Sequence, residues 1–302
     1  MHGRWVNLAV IVLWLVTMSW LVTEKVLPPL LIGEPPSSKT VLAARVQQPL
    51  VGWKVCWNEE PIGWALSRTQ RRPDESTEIH SRVHFERLPL GDLTPGWLRA
   101  MFDSMASVAP SIAADARGTM LLDPDGRLSR IESRMRFEPL GEEVALIGRV
   151  EGTQLKLMLR SREYINYQTA IAINAETLHG QVFSPQTQLP GLHEGQTWTV
   201  EVCSPLRYPG NPVEILHAEV AGQQRVLWGD RMILVWLVKY HDNPGSRLSN
   251  KETKPRGRLW VRPDGTVLVQ EIHVFGSWMK FVRMSEEEAD ELAQEHGPAG
   301  AG

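Results

Sequence analysis

The chain has little of what most functional assignments rest on. Cysteine occurs twice in 302 residues, too few for a disulfide framework or a thiolate metal cluster. No sign of charge dominates: 32 Lys and Arg against 35 Asp and Glu leave a formal charge of −3. These charges are interleaved, so there is no basic stripe and nothing points to nucleic acid as a partner. A nucleophile elbow, a phosphate-cradling glycine loop, a Cys-x-x-Cys pair and a His-Glu-x-x-His motif are all missing. The nine histidines are scattered, apart from His80 and His84. On a strand those two point the same way but stand roughly 13 Å apart, too far to share one metal. Neither a metal nor a cofactor is expected, and no residue qualifies as catalytic.

Long hydrophobic runs are also scarce, with one exception. Trp5–Thr23 (WVNLAVIVLWLVTMSWLVT) carries no charge over 19 residues. As a helix it spans roughly 28 Å, the thickness of a bilayer core. Trp5 and Trp20 lie near its ends, where indole rings favour the interface. The run is longer than a usual signal-peptide core and no small-x-small cleavage site follows promptly. It therefore reads as an uncleaved anchor, with residues 1–4 cytoplasmic and everything after Thr23 extracytoplasmic by the positive-inside rule. Residues 24–50, with four prolines in VLPPLLIGEPPSSK, read as an extended stalk.

Residues 51–284 read as a β domain. GWKVCWN, IGWALSRTQ and STEIHSRVHFERL are strands, and the long middle alternates similarly. Thr94–Val108 breaks the pattern and predicts an amphipathic helix, with Leu98, Met101, Phe102 and Met105 on one face. Ser285 and Glu288 form a capping box for a short acidic helix, followed by a disordered tail to residue 302. The expected fold is mainly β with minor α: a large antiparallel twisted sheet or half-barrel carrying one or two packing helices.

Two stretches nearly rhyme: RGTMLLDPDG (Arg117–Gly126) and RGRLWVRPDG (Arg256–Gly265). In each, Pro-Asp-Gly predicts a three-residue turn with a bulge, pairing Asp123 with Arg127 and Arg262 with Thr266. In the second hairpin Val261 should face Val267, Leu259 face Val269, and Trp260 face Leu268. That makes it apolar on both sides. Independent reuse of one turn is favoured over duplication, although two similar halves are the alternative.

Alternation puts Cys56 and Cys203 off the apolar faces of two similar strands. An oxidising compartment would permit a bridge, but two unpaired thiols are the favoured reading. The tryptophans beyond the anchor are expected mainly to fill a core. The sharper alternative is an apolar groove involving Trp198, Trp236, Trp260 and Leu268.

The strand IGWALSR, the hairpin GTMLLDPDGRLSRIESRM, the lead-in LPGLHEGQTW and the hairpin GRLWVRPDGTVLVQE together resemble the half-barrel proteins of the bacterial lipoprotein-carrier (LolA/LolB-like) superfamily and its uncharacterised relatives. The resemblance covers about half of the β domain. It implies a concave sheet that holds a lipid or other apolar ligand. The chain departs from that family in its greater length and its anchoring helix. The expectation is a non-enzymatic, membrane-anchored extracytoplasmic protein that binds an apolar ligand. The alternative is an accessory or scaffolding subunit of a cell-envelope membrane complex.

Overall fold

The computed structural model describes residues 2–21, 36, 38–47, 50–89, 111–138, 141–161, 166–173, 180–181, 184–203, 213–242, 255–274 and 276–296. The helix predicted at Thr94–Val108 lies outside them, as do most of the Pro-rich segment and the tail after His296.

Fifteen strands form one sheet: β1 Leu50–Trp57, β2 Glu60–Arg71, β3 Thr77–Pro89, β4 Ser111–Leu122, β5 Leu128–Glu138, β6 Glu142–Glu151, β7 Gln154–Ser161, β8 Asn166–Ala172, β9 Gly180–Gln181, β10 Thr197–Cys203, β11 Val213–Trp228, β12 Arg231–Asp242, β13 Gly257–Val261, β14 Val267–Val274 and β15 Ser277–Arg283. The order across the sheet is β8 to β1, then β15 to β9. Neighbours are antiparallel except for the short β9–β10 pair. The first strand of the domain thus pairs with the last, Val55 opposite Phe281, and this junction joins two meanders into one sheet. Helices α1 His2–Leu21, α2 Ser38–Gln47 and α3 Glu286–His296 complete the described elements.

One face of this sheet is buried, and among the described residues no second sheet covers it. Trp53, Val55, Phe85, Trp198, Val238, Val261 and Phe281 are all fully shielded and belong to one cluster. A single layer shields its own face only by coiling round, as twisted sheets do when they approach closure. The inner face continues into a second cluster of Ile79, Met120, Ile131, Leu155 and Leu157, against which Leu42 of α2 packs. Hence the supposed extended stalk is corrected in part: Ser38–Gln47 is a helix with Val41 buried. Leu42 and Val41 give this segment an apolar edge that the sheet takes up, and the proline count obscured it.

Both Pro-Asp-Gly hairpins form the predicted turn. Asp123 N–H donates to Arg127 O at 2.9 Å and Arg262 N–H to Thr266 O at 2.8 Å, with Gly126 and Gly265 at φ 81° and 89°. The onward register needs correcting. Leu122 faces Leu128 and Val261 faces Val267, but a bulge then pairs Trp260 with Val269 and Leu259 with Gln270. The extra residue is Leu268, set aside from the ladder as bulged residues are.

The hairpins occupy matching places. They are the fourth and fifth strands of two six-strand runs, β1–β6 and β10–β15, which follow one another in the same sense along the sheet. The first strand of each run carries a fully buried tryptophan opposite an alanine of the second, Trp53 with Ala65 and Trp198 with Ala218. The segment before each run touches the turn of that run's hairpin. Lys39 of α2 lies 2.8 Å from Asp125, and Leu189 N–H donates to Gly265 O at 2.7 Å.

Helix α1 coincides with most of the uncharged N-terminal run, and its large side chains from Ile11 to Leu21 are exposed. Among the described residues no helix is long and apolar enough to cross a membrane. The side chains of residues 2–10 lie outside the described set.

Candidate functional site: a groove on the outer face of the sheet

The inner face carries the core cluster around Trp53, Trp198, Phe85 and Phe281. A groove of ≈ 750 Å³ lies on the other face. Strand alternation builds its floor. On β13, Gly257, Leu259 and Val261 point inward, which turns Trp260 outward; Val269 of β14 and Val282 of β15 line the groove beside it. Leu268, released by the bulge, joins them. One wall is the tip of the β11–β12 hairpin, Val226, Leu227, Trp228 and Gly229. The other is Met284 and the first turn of α3. The capping box holds that turn, with Ser285 N–H donating to Glu288 Oε2 at 2.9 Å and Glu288 N–H to Ser285 Oγ at 3.2 Å.

The lower body of α3 packs on the outer face over Trp64 and Leu66, through Leu292 and Ala293. It comes so close to β1 that a Cβ on Gly52 would meet Ala289 Cβ at 2.9 Å.

Charge around the groove is balanced. Lys54, Arg262, Lys280 and Arg283 face Asp264, Glu271, Glu286 and Glu288. Lys54 is 2.7 Å from Glu288, Arg262 is 3.4 Å from Asp264, and Lys280 is 3.9 Å from Glu271. Burial pushes the Glu271 carboxyl above its usual range, while Lys280 and Arg258 pull the other way. Arg283 is half-buried, and desolvation lowers its guanidinium to about 10; it donates to the carbonyls of Thr187 and Val267 at 3.1 and 3.3 Å.

Of the four residues singled out from the sequence, the groove brings together Trp260 and Leu268. Trp198 belongs to the core, and Trp236 packs half-buried against it. Trp228, Val226 and Met284 were missed, because nothing in the local sequence shows that a hairpin tip folds over a sheet face. Cys56 is a free thiol whose pKa burial raises. Its strand β1 is separated from β10 by five others, which keeps the two cysteine-bearing strands from being neighbours.

His80 and His84 lie on β3 as expected, and each meets a carboxylate. His80 Nε2 is 3.5 Å from Glu78 and His84 Nδ1 is 3.6 Å from Asp115. Asp115 is already committed: burial raises its pKa, but hydrogen bonds and charge from Arg82 and Arg117 outweigh this and hold it low. Trp64 stacks on both His84 and His296, and Arg82 donates to His296 O. This cluster latches the end of α3. Among the described residues no group of three or more His, Cys, Asp or Glu could hold a metal ion.

Among the described residues three buried polar atoms lack a partner, all of them N–H donors: Trp53 Nε1, Trp198 Nε1 and Arg45 Nε. Burial lowers the Arg45 guanidinium to about 10.

No protein-family model matches the chain, and no curated protein does. Among solved structures it is similar to a β-barrel-like protein of domain of unknown function DUF1849 from Brucella abortus, at 12% identity and a TM-score of 0.46, over 78% of this chain and 95% of that one. It is also similar to a DUF1089 family protein from Pseudomonas aeruginosa, at 13% identity and a TM-score of 0.36, over 70% and 90% of the two chains. The coiled sheet with its outer groove defines the chain as a large antiparallel, barrel-like β protein.

Proposed function

We propose that the protein is a non-enzymatic binder of a lipid or similar apolar ligand, held in the outer groove over Trp260 and Leu268. The carrying observation is the convergence of Trp260, Leu268, Val269, Val282, Trp228 and Met284 on one opening of ≈ 750 Å³, a volume within the range of small-molecule sites. The inner face, where the lipoprotein-carrier resemblance implies the ligand should lie, is occupied among the described residues by the buried cluster of Trp53, Phe85, Trp198 and Phe281. The site therefore moves to the opposite face. Four cations and four carboxylates around the groove give no preference for ligand charge, which favours an uncharged or zwitterionic head group beside the apolar body. Helix α1 serves as a tether to a membrane surface. The uncharged run and the exposed Ile11–Leu21 side chains support that placement.

The test is displacement of a fluorescent phosphatidylcholine analogue from the purified full chain. Trp260→Ala should weaken binding about tenfold or more, the value of one buried aromatic contact of ~1.5–3 kcal/mol. Trp236→Ala, outside the groove, should not. Equal binding by the wild-type and Trp260→Ala proteins, with far-UV circular dichroism unchanged, would sink the proposal.

A further inference from the structure

We infer that the tip of the β11–β12 hairpin is a membrane-contact wedge that docks the groove onto a bilayer surface. Among the described residues outside α1, the exposed large hydrophobic ones are Val46, Ile215, Leu227, Met232 and Leu234. Three of these five sit on this one tip, at 69%, 60% and 42% exposure. The register explains their grouping. Leu227 faces Met232 and Arg225 faces Leu234, so all four side chains stand on one face of the two-stranded ribbon. The other face carries Val226 opposite Ile233, with Trp228 at the turn. A solvent-facing hairpin normally alternates apolar and polar faces; this one is apolar on both at the Val226–Ile233 and Leu227–Met232 pairs, just before the Trp228–Arg231 pair at the turn.

Two features point to lipid as the occupant. The first is size. The three exposed side chains present roughly 300 Å², an ordinary surface patch, against the ~800 Å² per partner that a stable protein interface buries. So small an apolar tip suits insertion between lipid head groups. The second is charge. Arg225 and Arg231 are exposed beside the apolar residues and have no ion-pair partner among the described residues. At the depth of lipid phosphates their guanidinium groups meet ready acceptors, while Trp228 takes the interfacial position indole rings prefer. The wedge is continuous with the groove, since Leu227 and Trp228 also wall it. Docking there sets the opening against the lipid that would fill it. The inference extends the ligand reading without depending on it, because the tip can meet lipid whether or not the groove is occupied.

The experiment uses the full chain with both native cysteines replaced by serine and one new cysteine, Leu227→Cys or Met232→Cys, carrying an environment-sensitive nitrobenzoxadiazole label. Glu75→Cys, on an exposed turn, is the control. In vesicles of phosphatidylcholine with phosphatidylglycerol, both tip labels should shift to the blue and be shielded from iodide, and the control label should do neither. Arg225→Gln with Arg231→Gln should remove most of the dependence on phosphatidylglycerol, each arginine near an anionic surface weighting the docked state by about fivefold. Tip labels as iodide-accessible as the control in both lipid compositions overturn the inference. Shielding that follows protein concentration at fixed lipid overturns it too, assigning the tip to a second copy of the chain. Loss of lipid binding in Trp260→Ala with tip shielding intact would separate the groove from the wedge.

Discussion

Asp115 shows how far a single side chain on the outer face is committed to structure. It accepts from Arg82 Nε at 2.9 Å and from Arg117 Nε at 3.1 Å, and the Arg82 guanidinium in turn lies over the Trp64 ring and reaches the last turn of α3. Replacing Asp115 by Asn removes the charge while keeping the shape, and leaves two guanidinium groups without their anion. A loss of about 1–2 kcal/mol is expected, the scale of charge-assisted hydrogen bonds at a partly exposed site. The pH dependence follows from the depressed carboxyl. A carboxylate whose folded pKa lies below its unfolded value stabilises the fold above the unfolded value, and that contribution fades as pH falls through the folded one. Urea unfolding of wild-type and Asp115→Asn proteins should therefore differ at pH 7 and converge in acid below about pH 4. A difference that persists unchanged at pH 3 would show that Asp115 acts by something other than its charge.

At the scale of elements, the two rhyming hairpins show why a turn sequence is reused. Each needs a residue with φ near +80° to close its bulged turn, and glycine is the residue that takes this conformation without cost. Gly265 carries a second requirement. A Cβ there would lie 2.6 Å from Pro190 Cα, because the segment before β10 runs against this turn and sends Leu189, fully buried, into the core. Gly265→Ala should therefore cost about 2–4 kcal/mol, combining φ strain with displacement of that segment. Thermal unfolding checks this; a cost under 1 kcal/mol would mean the loop yields freely. LPGLHEGQTW and WVRPDGTV, far apart in the chain, thus turn out to be two sides of one contact. The matched tryptophan–alanine pairs, Trp53 with Ala65 and Trp198 with Ala218, are what a chain built of two similar halves would show.

For the whole molecule, the β1–β15 pairing is decisive. It is the one ladder joining the two meanders, with Trp53 to Trp57 opposite Met279 to Arg283. Every other pairing in the sheet is between strands adjacent in sequence. A chain ending after Val274 loses β15 and α3 together. It leaves β1 and β14 as raw edges and uncovers the core beside Trp53. Such a protein should unfold without a cooperative transition or aggregate through the exposed edges. A sharp two-state melt from the truncated chain would show that the halves are independent domains. Because this junction closes a loop of more than two hundred residues, its formation is expected to be the late and slow event of folding.

Much of the architecture was legible in the chain because strand signals are local. Period-two alternation in GWKVCW and in RLWVRPDGTVLV reads directly as β structure. Pro-Asp-Gly reads as a bulged turn and Ser285 with Glu288 as a helix start, since φ preferences and backbone capping depend on residues a few positions apart. The bulge at Leu268 was not legible, because the register beyond the turn is settled by which neighbours the outer face must accommodate. Nor did alternation say which face of Trp260 would be covered. Trp198 and Trp260 have the same strand signature, yet one is sealed in the core and the other floors a groove. That difference comes from the coiling of the sheet, the seating of α3 over Gly52 and the overhang of the β11–β12 tip, all of them contacts between residues far apart in the chain. The sequence by itself determined the strands, the turns and the character of the protein as a large β-sheet molecule. Only the tertiary structure decided which apolar face is the core and which floors an open groove, because burial is a property of what packs above a side chain and not of the strand that carries it.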